Sequence, residues 1–152
     1  MVKHIIAILL LISAGMVSQP AHAQSAPGKL RLLSGWCLDV DLATMNSNFA
    51  RVQIWGCWAS PNQNWRFDAL GRIVGDGGKC LDVVSPRINV GVLNLANGTA
   101  VQVYDCHDGR NQRWDMLGTV LKLHGTNKCL DVVSPNIASG VTNFRKIGRA
   151  HV

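Results

Sequence analysis

The tetrapeptide Cys-Leu-Asp-Val occurs three times in this chain, at residues 37–40, 80–83 and 129–132. The first two copies are each followed by a second shared block, in which Val-Gln-x-aromatic-x-Cys leads to Asn-Gln-x-Trp at one fixed spacing. These blocks are residues 52–65 and 101–114. Two diverged copies that agree at so many offsets indicate internal repetition, and a period of 43–49 residues predicts a protein assembled from like units.

The first residues have the composition of an export signal. A basic start precedes an apolar run at residues 5–12, and Ala-His-Ala follows at residues 21–23. This pattern predicts a signal peptide over residues 1–23, cleaved before Gln24, and secretion to the extracellular space or the periplasm. A membrane anchor would need about 18 apolar residues, and small and polar residues interrupt this run too early. We therefore expect no membrane insertion and one domain over residues 24–152.

All five cysteines follow the predicted signal peptide, so they would meet an oxidising compartment in which disulfides persist. Within each repeat, the Cys of Cys-Leu-Asp-Val can pair with the Cys of the next Val-Gln block. This predicts the disulfides Cys37–Cys57 and Cys80–Cys106. The equivalent partner of Cys129 would fall beyond the last residue, so we expect a free thiol there and an incomplete third unit.

The end of the chain bears on both the repeat and the charge. Residues 147–152 can be encoded by DNA that resembles the start of a common sequencing adapter, so we expect this tail to be foreign to the protein. The formal net charge of +6 falls to +3 when Lys3, Lys146 and Arg149 are left out. Because the remaining positive charges are few and scattered, we expect no nucleic-acid partner.

Apolar residues occur in short runs and alternations that are separated by Gly, Asn, Asp and Ser, which predicts an all-β protein with short strands. The repeat divides the chain into three lobes of about 29–71, 72–118 and 119–152. Each lobe has room for about four strands and cannot bury its apolar face alone. We therefore predict a β-trefoil whose third lobe is incomplete, with Trp65 and Trp114 as core residues contributed once per complete lobe.

Together, the three motifs resemble the repeats of ricin B-type lectins, which are also found as carbohydrate-binding modules attached to bacterial glycosidases. The resemblance extends through the mature chain to about Asn143, with two complete lobes and one partial lobe. It implies a β-trefoil fold and carbohydrate binding.

A neutral sugar offers pairs of hydroxyl groups and an apolar ring face, so its site needs a carboxylate, an amide and a flat aromatic ring. Each complete lobe contains such a set. The candidates are Asp39, Gln53, Trp55, Asn62 and Gln63 in the first lobe, and Asp82, Gln102, Tyr104, Asn111 and Gln112 in the second. The resemblance implies the same sugar-binding assignment and adds Asp131 in the third lobe, whose aromatic and amide partners are missing.

Several candidates have structural alternatives. Either aspartate of a complete lobe could form a turn with its own backbone, and Gln63 and Gln112 could hold the framework around the neighbouring core Trp. Trp55 and Tyr104 could be half-buried strand residues. We expect Leu and Val of Cys-Leu-Asp-Val to face the core and the Asp to turn outwards, towards a sugar.

The leading hypothesis is a secreted lectin domain without catalysis, which binds galactose- or xylose-type glycans through several sites. A glycosidase needs two carboxyl groups in one centre, whereas the Asp residues here repeat once per lobe. No motif for a metal, a phosphate or a cofactor is present, so we expect none of these ligands. The alternatives are the N-terminal binding module of a secreted glycoside hydrolase, with its catalytic domain beyond the chain's end, and a trefoil interaction protein without sugar affinity.

Overall fold

The computed structural model describes residues 24–85, 95–131 and 146–149, so the predicted signal peptide lies outside the described residues. The described residues form strands joined by turns, with short 3-10 helices at Pro61–Gln63 and Arg110–Gln112. The strands are β1 (Gly28–Lys29), β2 (Cys37–Val40), β3 (Ala50–Trp55), β4 (Asn64–Phe67), β5 (Ile73–Gly75), β6 (Lys79–Val83), β7 (Val101–Asp105), β8 (Trp114–Leu117), β9 (Val120–Leu123), β10 (Lys128–Asp131) and β11 (Lys146–Arg149). The all-β prediction is confirmed. Within the described ranges, no helix has the length and apolar character needed to cross a membrane.

The strands form two antiparallel sheets. One has the order β1-β4-β5-β6-β7-β3-β2 and the other the order β11-β10-β9-β8. The sheets are linked where Arg72 bridges to Arg113 and where the N–H of Trp114 donates to the carbonyl of Gly71 at 2.8 Å. The result is a nearly closed, barrel-like arrangement, as predicted for a β-trefoil.

The sequence repeat is also a repeat of strand register. In the first lobe β2 pairs with β3, so that Leu38 lies opposite Ile54 and Asp39 opposite Gln53. In the second lobe β6 pairs with β7 in the same register. Because side chains alternate between the two faces of a strand, Leu and Val of these two copies face the core while Cys and Asp share the other face.

The core is built mainly from these inward-facing residues and from one Trp of each complete lobe. Trp65 and Trp114 are 3% and 0% exposed. They pack with the inward-facing residues of both strand pairs, among them Leu38, Ile54 and Leu81. Neither lobe encloses this cluster alone, so the lobes stabilise one another.

Both predicted disulfides are present. Cys37–Cys57 and Cys80–Cys106 span 20 and 26 residues, and each connects the start of a Cys-Leu-Asp-Val strand to the chain just after the partner strand. A crosslink over a loop of this length stabilises a fold by about 3 kcal/mol in the chain-entropy model. Cys129 is free and buried, and burial raises the pKa of its thiol.

The tail residues form a strand. Strand β11 pairs with β10 so that Asp131 lies opposite Lys146 and Cys129 opposite Gly148. At the latter position the first lobe has Trp55 and the second lobe has Tyr104, so the third lobe has glycine where the others have an aromatic ring. Whether the tail is foreign stays a prediction, and residues 132–145 lie outside the described ranges.

Candidate functional site

The first candidate site lies on the outer face of the β2–β3 pair. Asp39 lies opposite Gln53, and Cys37 lies opposite Trp55. The carboxylate, the amide and the indole therefore project from the same face, and the Cys37–Cys57 disulfide secures the end of the ribbon that carries the indole. Strand pairing thus brings together Asp39 and Trp55, which are 16 positions apart in the sequence.

Three side-chain amides hold the Asp39 carboxylate. Gln53 Nε2 donates to Oδ1 at 2.8 Å, while Asn62 Nδ2 and Gln63 Nε2 each donate to Oδ2 at 2.9 Å. The 3-10 helix at Pro61–Gln63 delivers the last two amides together, with proline at its first turn. A carboxylate has about four acceptor directions, so the three amides occupy all but one of them, and the remaining direction is on Oδ1.

The second lobe repeats the arrangement around Asp82. Gln102 Nε2 donates to Oδ1 at 3.1 Å, and Asn111 Nδ2 and Gln112 Nε2 donate to Oδ2 at 2.9 Å. Tyr104 lies opposite Cys80 on the same face. The structure therefore brings together all ten predicted site residues of the two complete lobes, in two matching sets.

The two aspartates are less accessible than expected. Asp39 is 1% exposed and Asp82 is 3% exposed, and their contact with a sugar stays a prediction. They do lie on the outer face, but the surrounding amides cover them. The amide donors to these carboxylates lie 14 to 30 residues away in the sequence. The aspartates therefore do not form the local turn with their own backbone that was the alternative interpretation.

Gln63 and Gln112 are 0% exposed, and their amides are occupied. Besides its bond to Asp39, Gln63 Nε2 donates to the carbonyl of Gly56 at 2.9 Å, and Oε1 accepts the N–H of Trp58 at 3.0 Å. Gln112 has the same three kinds of bond. These bonds fit the framework alternative, in which the two glutamines fix the carboxylates rather than touch a ligand.

Asn62 and Asn111 differ in the hydrogen bonding of their Oδ1 atoms. Asn62 Oδ1 accepts a short bond from the hydroxyl of Ser60, at 2.5 Å. In the second lobe Gly109 replaces that serine, and Asn111 Oδ1 is buried with no hydrogen-bond partner among the described residues. The sequence prediction missed the role of Ser60, which an alignment of the two lobes would reveal because only one of them has a hydroxyl there.

The aromatic surroundings of the two sites also differ. Trp55 is 41% exposed, and Trp58, which directly follows the disulfide-bonded Cys57, is 55% exposed. In the second lobe Tyr104 is partly exposed, and His107 takes the position of Trp58 with its ring 6.2 Å from the Tyr104 ring. The first lobe therefore has two tryptophans at positions where the second has a tyrosine and a histidine.

His107 is held beside Asp82. Its Nδ1 lies 2.9 Å from the N–H of Gly109, which donates to it, and its Nε2 lies 3.5 Å from Asp82 Oδ2. Burial raises the pKa of Asp82 above its ordinary value, while the amides of Gln112 and Gln102 and the charge of His107 act in the opposite direction. The second site therefore contains a carboxyl group that is unusually easy to protonate.

Asp131 stands apart from these sets. It is exposed, in contrast to the two buried aspartates, and its strand faces Gly148 where an aromatic ring stands in the other lobes. No third set of carboxylate, amide and ring is assembled among the described residues. The same part of the chain has no group of three or more His, Cys, Asp or Glu side chains that could hold a metal ion.

The fold matches several solved structures. The hemolytic lectin CEL-III is similar with a TM-score of 0.60 at 23% identity, over 87% of this chain and 28% of that one. A non-toxic homologue of type II RIPs from Momordica charantia (bitter gourd), solved with α-methyl-D-galactoside, has a TM-score of 0.63 at 23% identity, over 83% of this chain and 43% of that one. This chain thus spans less than half the length of either protein.

A third structure matches over its full length. The β-trefoil lectin of the Vibrio vulnificus hemolysin/cytolysin, solved with N-acetyl-D-lactosamine bound, has a TM-score of 0.55 at 21% identity, over 84% of this chain and 100% of that one. No curated protein matches the chain. The family profile described as the ricin-type beta-trefoil lectin domain matches residues 26–145. The chain belongs to the ricin-type β-trefoil lectin domain family.

Proposed function

We propose that this carbohydrate-binding domain is a secreted lectin that binds neutral glycans of galactose or xylose type at two sites, one around Asp39 and Trp55 and one around Asp82 and Tyr104. The observation that carries the proposal is that the same arrangement of side chains occurs twice. In each complete lobe, three amides orient a carboxylate beside a partly exposed aromatic ring.

The geometry suits a sugar because it offers a fixed acceptor and a flat surface. The acceptor direction on each Oδ1 atom that no amide occupies can accept a hydroxyl proton at the edge of the covering amides, and the ring can stack against the C–H face of the sugar. Since the amides already hold the carboxylate in place, binding loses little side-chain freedom. The galactoside and lactosamine in two of the related structures favour a galactose-type ligand.

The proposed sites bind without catalysis. Hydrolysis of a glycosidic bond requires two carboxyl groups that flank it, roughly 5–9.5 Å apart. Asp39 and Asp82 instead belong to separate lobes, and each is enclosed by its own amides. Two equal single-carboxylate sites are suited to retention of a glycan rather than to its cleavage.

Two sites on one rigid domain favour multivalent binding. Each site makes few polar contacts, so its own affinity for one sugar is expected to be weak. A polysaccharide or a glycan-coated surface can engage both sites at once, which raises the apparent affinity by roughly 10²–10⁴. Polymers should therefore bind far more tightly than monosaccharides.

Secretion is the second part of the proposal. It is supported by the apolar N-terminal run of the sequence and by two disulfides, which persist in oxidising compartments. Expression of the full chain in a bacterium, followed by N-terminal sequencing of the exported protein, tests it. A mature chain that begins at Gln24 is expected, whereas retention of Met1 in the cytoplasm would contradict it.

The binding sites are best tested through the rings, because substitution of either buried aspartate would leave amides without an acceptor and weaken the fold. Trp55→Ala and Tyr104→Ala should each lower retention on immobilised galactose or xylan polymers, and the double variant should lose far more than either. We expect each ring to contribute about tenfold to the affinity of its site, which corresponds to about 1.4 kcal/mol.

Leu117→Ala is the matched control, because Leu117 is an exposed apolar residue, at 55% exposure, that belongs to neither site. It should bind like the unaltered protein. A glycan array with the same four variants identifies the sugar. If the double variant is retained as well as the control, the proposed sites are not the sugar sites.

A further inference from the structure

Phe49 occupies a position that disfavours it in two ways. Its backbone has φ +66°, in the left-handed region that bulky residues rarely adopt, and its side chain is 69% exposed. The equivalent residue of the second lobe, three positions before the Val-Gln pair, is Gly98, with φ +89°. Glycine satisfies this turn without strain, so the turn itself gives no reason for a phenylalanine.

The turn that carries Phe49 belongs to the first lobe but is fixed to the second. The N–H of Phe49 donates to the carbonyl of Val103 at 2.9 Å. Its neighbour Asn48 donates through Nδ2 to Asp105 Oδ2 at 2.7 Å and accepts the N–H of Asp105 through Oδ1 at 2.8 Å. These bonds set the position of the Phe49 ring relative to strand β7.

The ring lies against the aromatic residue of the second site. The Phe49 and Tyr104 rings are 5.1 Å apart between centroids and make an angle of 67°. Across the sheet the strand order is β6, β7, β3, so strand β7 with Tyr104 lies between the strand that carries Asp82 and the strand that Phe49 immediately precedes. The two rings thus meet at a corner on the β3 side of Tyr104, and both are at least partly exposed.

We propose that Phe49 is a ligand contact of the second site and binds the sugar unit next to the one held at Asp82. This inference rests on the proposed function of that site. A sugar that bonds to Asp82 and stacks on Tyr104 has its neighbour over Phe49, one strand further along the sheet. The exposed face of the ring then contacts the C–H face of that neighbour.

Because Phe49 comes from the first lobe and Tyr104 from the second, the corner makes the second site a composite of two lobes. The equivalent turn of the second lobe provides no such ring. That turn presents Gly98 instead, and Asn97 Oδ1 there accepts a bond from Lys128 Nζ at 2.6 Å. The second site should therefore prefer disaccharides over monosaccharides.

The experiment uses Phe49→Gly in a Trp55→Ala background, in which the second site alone remains. Calorimetric titration would use two probe pairs, methyl β-galactoside with lactose and methyl β-xyloside with xylobiose. The ratio of disaccharide to monosaccharide affinity should fall at least threefold for the pair that binds. The melting temperature should stay the same or rise, because glycine relieves the left-handed strain.

Phe49→Trp should restore the preference for the disaccharide, and Phe49→Asn, which tolerates the same backbone, should reproduce the loss. An unchanged ratio in both ring-free variants would overturn the inference, and so would an equal loss for monosaccharide and disaccharide. Tyr104→Ala distinguishes a failure of the Phe49 contact from a failure of the whole second site. If it leaves both probes bound as before, the proposed function of the site fails, whatever Phe49 does.

Discussion

The indole Nε1–H of Trp114 donates a hydrogen bond of 3.0 Å to the carbonyl of Leu81, the residue immediately before Asp82. In the first lobe, Trp65 makes the same bond to Leu38. Two residues of each Gln-x-Trp motif thus bind the Cys-Leu-Asp-Val strand of their own lobe, the Gln at the carboxylate and the Trp at the preceding carbonyl. The two motifs recur together because each needs the other for its hydrogen bonds.

Replacement of Trp114 by phenylalanine should destabilise the fold. The change removes the indole N–H that donates to the Leu81 carbonyl, and this carbonyl stays buried without that donor. An unsatisfied buried group costs about 1–3 kcal/mol, to which the lost ring volume adds. Urea unfolding followed by circular dichroism measures the loss, with Trp58→Phe, at an exposed position, as the control. Equal midpoints for the two variants would contradict the prediction.

The fold could be predicted from the sequence because its strongest signals are repeated. The repeat period, the alternation of apolar residues and the cysteine spacing all indicated an all-β fold of repeated lobes. The disulfides Cys37–Cys57 and Cys80–Cys106 followed from the repeat alone. The side chains that converge in each lobe were also anticipated, because sugar recognition calls for a small set of side-chain types, but their binding of sugar stays a proposal.

What the sequence did not reveal is how polar side chains divide their hydrogen bonds. The burial of Asp39 depends on three amides that converge only after β2 and β3 pair and the 3-10 helix packs against them. Phe49 was missed for a similar reason. Its contact with Tyr104 joins different lobes, and a pattern repeated within lobes contains no signal for contacts between them.

Replacement of Gln63 by glutamate should make stability depend on pH. The new carboxylate would face Asp39 Oδ2, to which Gln63 Nε2 now donates at 2.9 Å. Two carboxylates at this distance share a proton, which raises one pKa in the folded state. A raised folded pKa contributes stability at low pH and loses it as pH rises, so the deficit should be about 2–4 kcal/mol at neutral pH and smaller near pH 4.

Urea midpoints at the two pH values test this prediction. Gln24→Glu, at an exposed position, provides the same change of charge without a neighbouring carboxylate and should unfold like the unaltered protein at both. A deficit of the Gln63 variant that is independent of pH would show that lost hydrogen bonds, rather than repulsion, dominate.

Acidification should weaken sugar binding at the second site without unfolding it. Protonation of Asp82 replaces a carboxylate acceptor with a neutral acid. Because the pKa of Asp82 is raised, this protonation occurs at a higher pH than for an ordinary aspartate, whose pKa is about 3.9. For stability the sign is opposite, because a raised folded pKa contributes stability at low pH and loses it as pH rises. Binding should therefore fall while the folded state persists.

Titration of Trp55→Ala with a bound glycan between pH 7 and pH 4, with circular dichroism in parallel, measures both effects. Adding His107→Trp to that variant removes the histidine that faces the carboxylate. The midpoint should then move to higher pH, since the charge of His107 lowers the pKa of Asp82. A transition that disappears with the histidine would assign the effect to His107.

The cysteines should react in a fixed order. Unreduced protein in denaturant should take up one iodoacetamide, at Cys129, while the native protein should react slowly because burial covers the thiol and raises its pKa. Mass spectrometry counts the labels. Rapid labelling of the native protein would show that strand β10 opens readily.

Removal of either disulfide by paired Cys→Ala substitutions should cost about 3 kcal/mol in the chain-entropy model. The loop lengths of 20 and 26 residues enter only through a logarithm, so the two losses should agree to about 0.5 kcal/mol. Chemical denaturation of the two double variants provides the comparison. A much larger loss for one pair would mean that its strands also lose packing.

Substitution of the three repeated aspartates should separate their roles. Asp39→Ala would leave the amides of Gln53, Asn62 and Gln63 without their shared acceptor, so we expect a loss of at least about 2 kcal/mol in stability as well as loss of binding at the first site. Asp131 is exposed, and its lobe presents Gly148 in place of a ring, so Asp131→Ala should change stability by less than about 0.5 kcal/mol and leave glycan retention intact. Unfolding midpoints and retention on the same glycan column, measured for both variants, test the contrast. A fall in retention for Asp131→Ala would mean that the third lobe binds sugar by contacts unlike those of the other two.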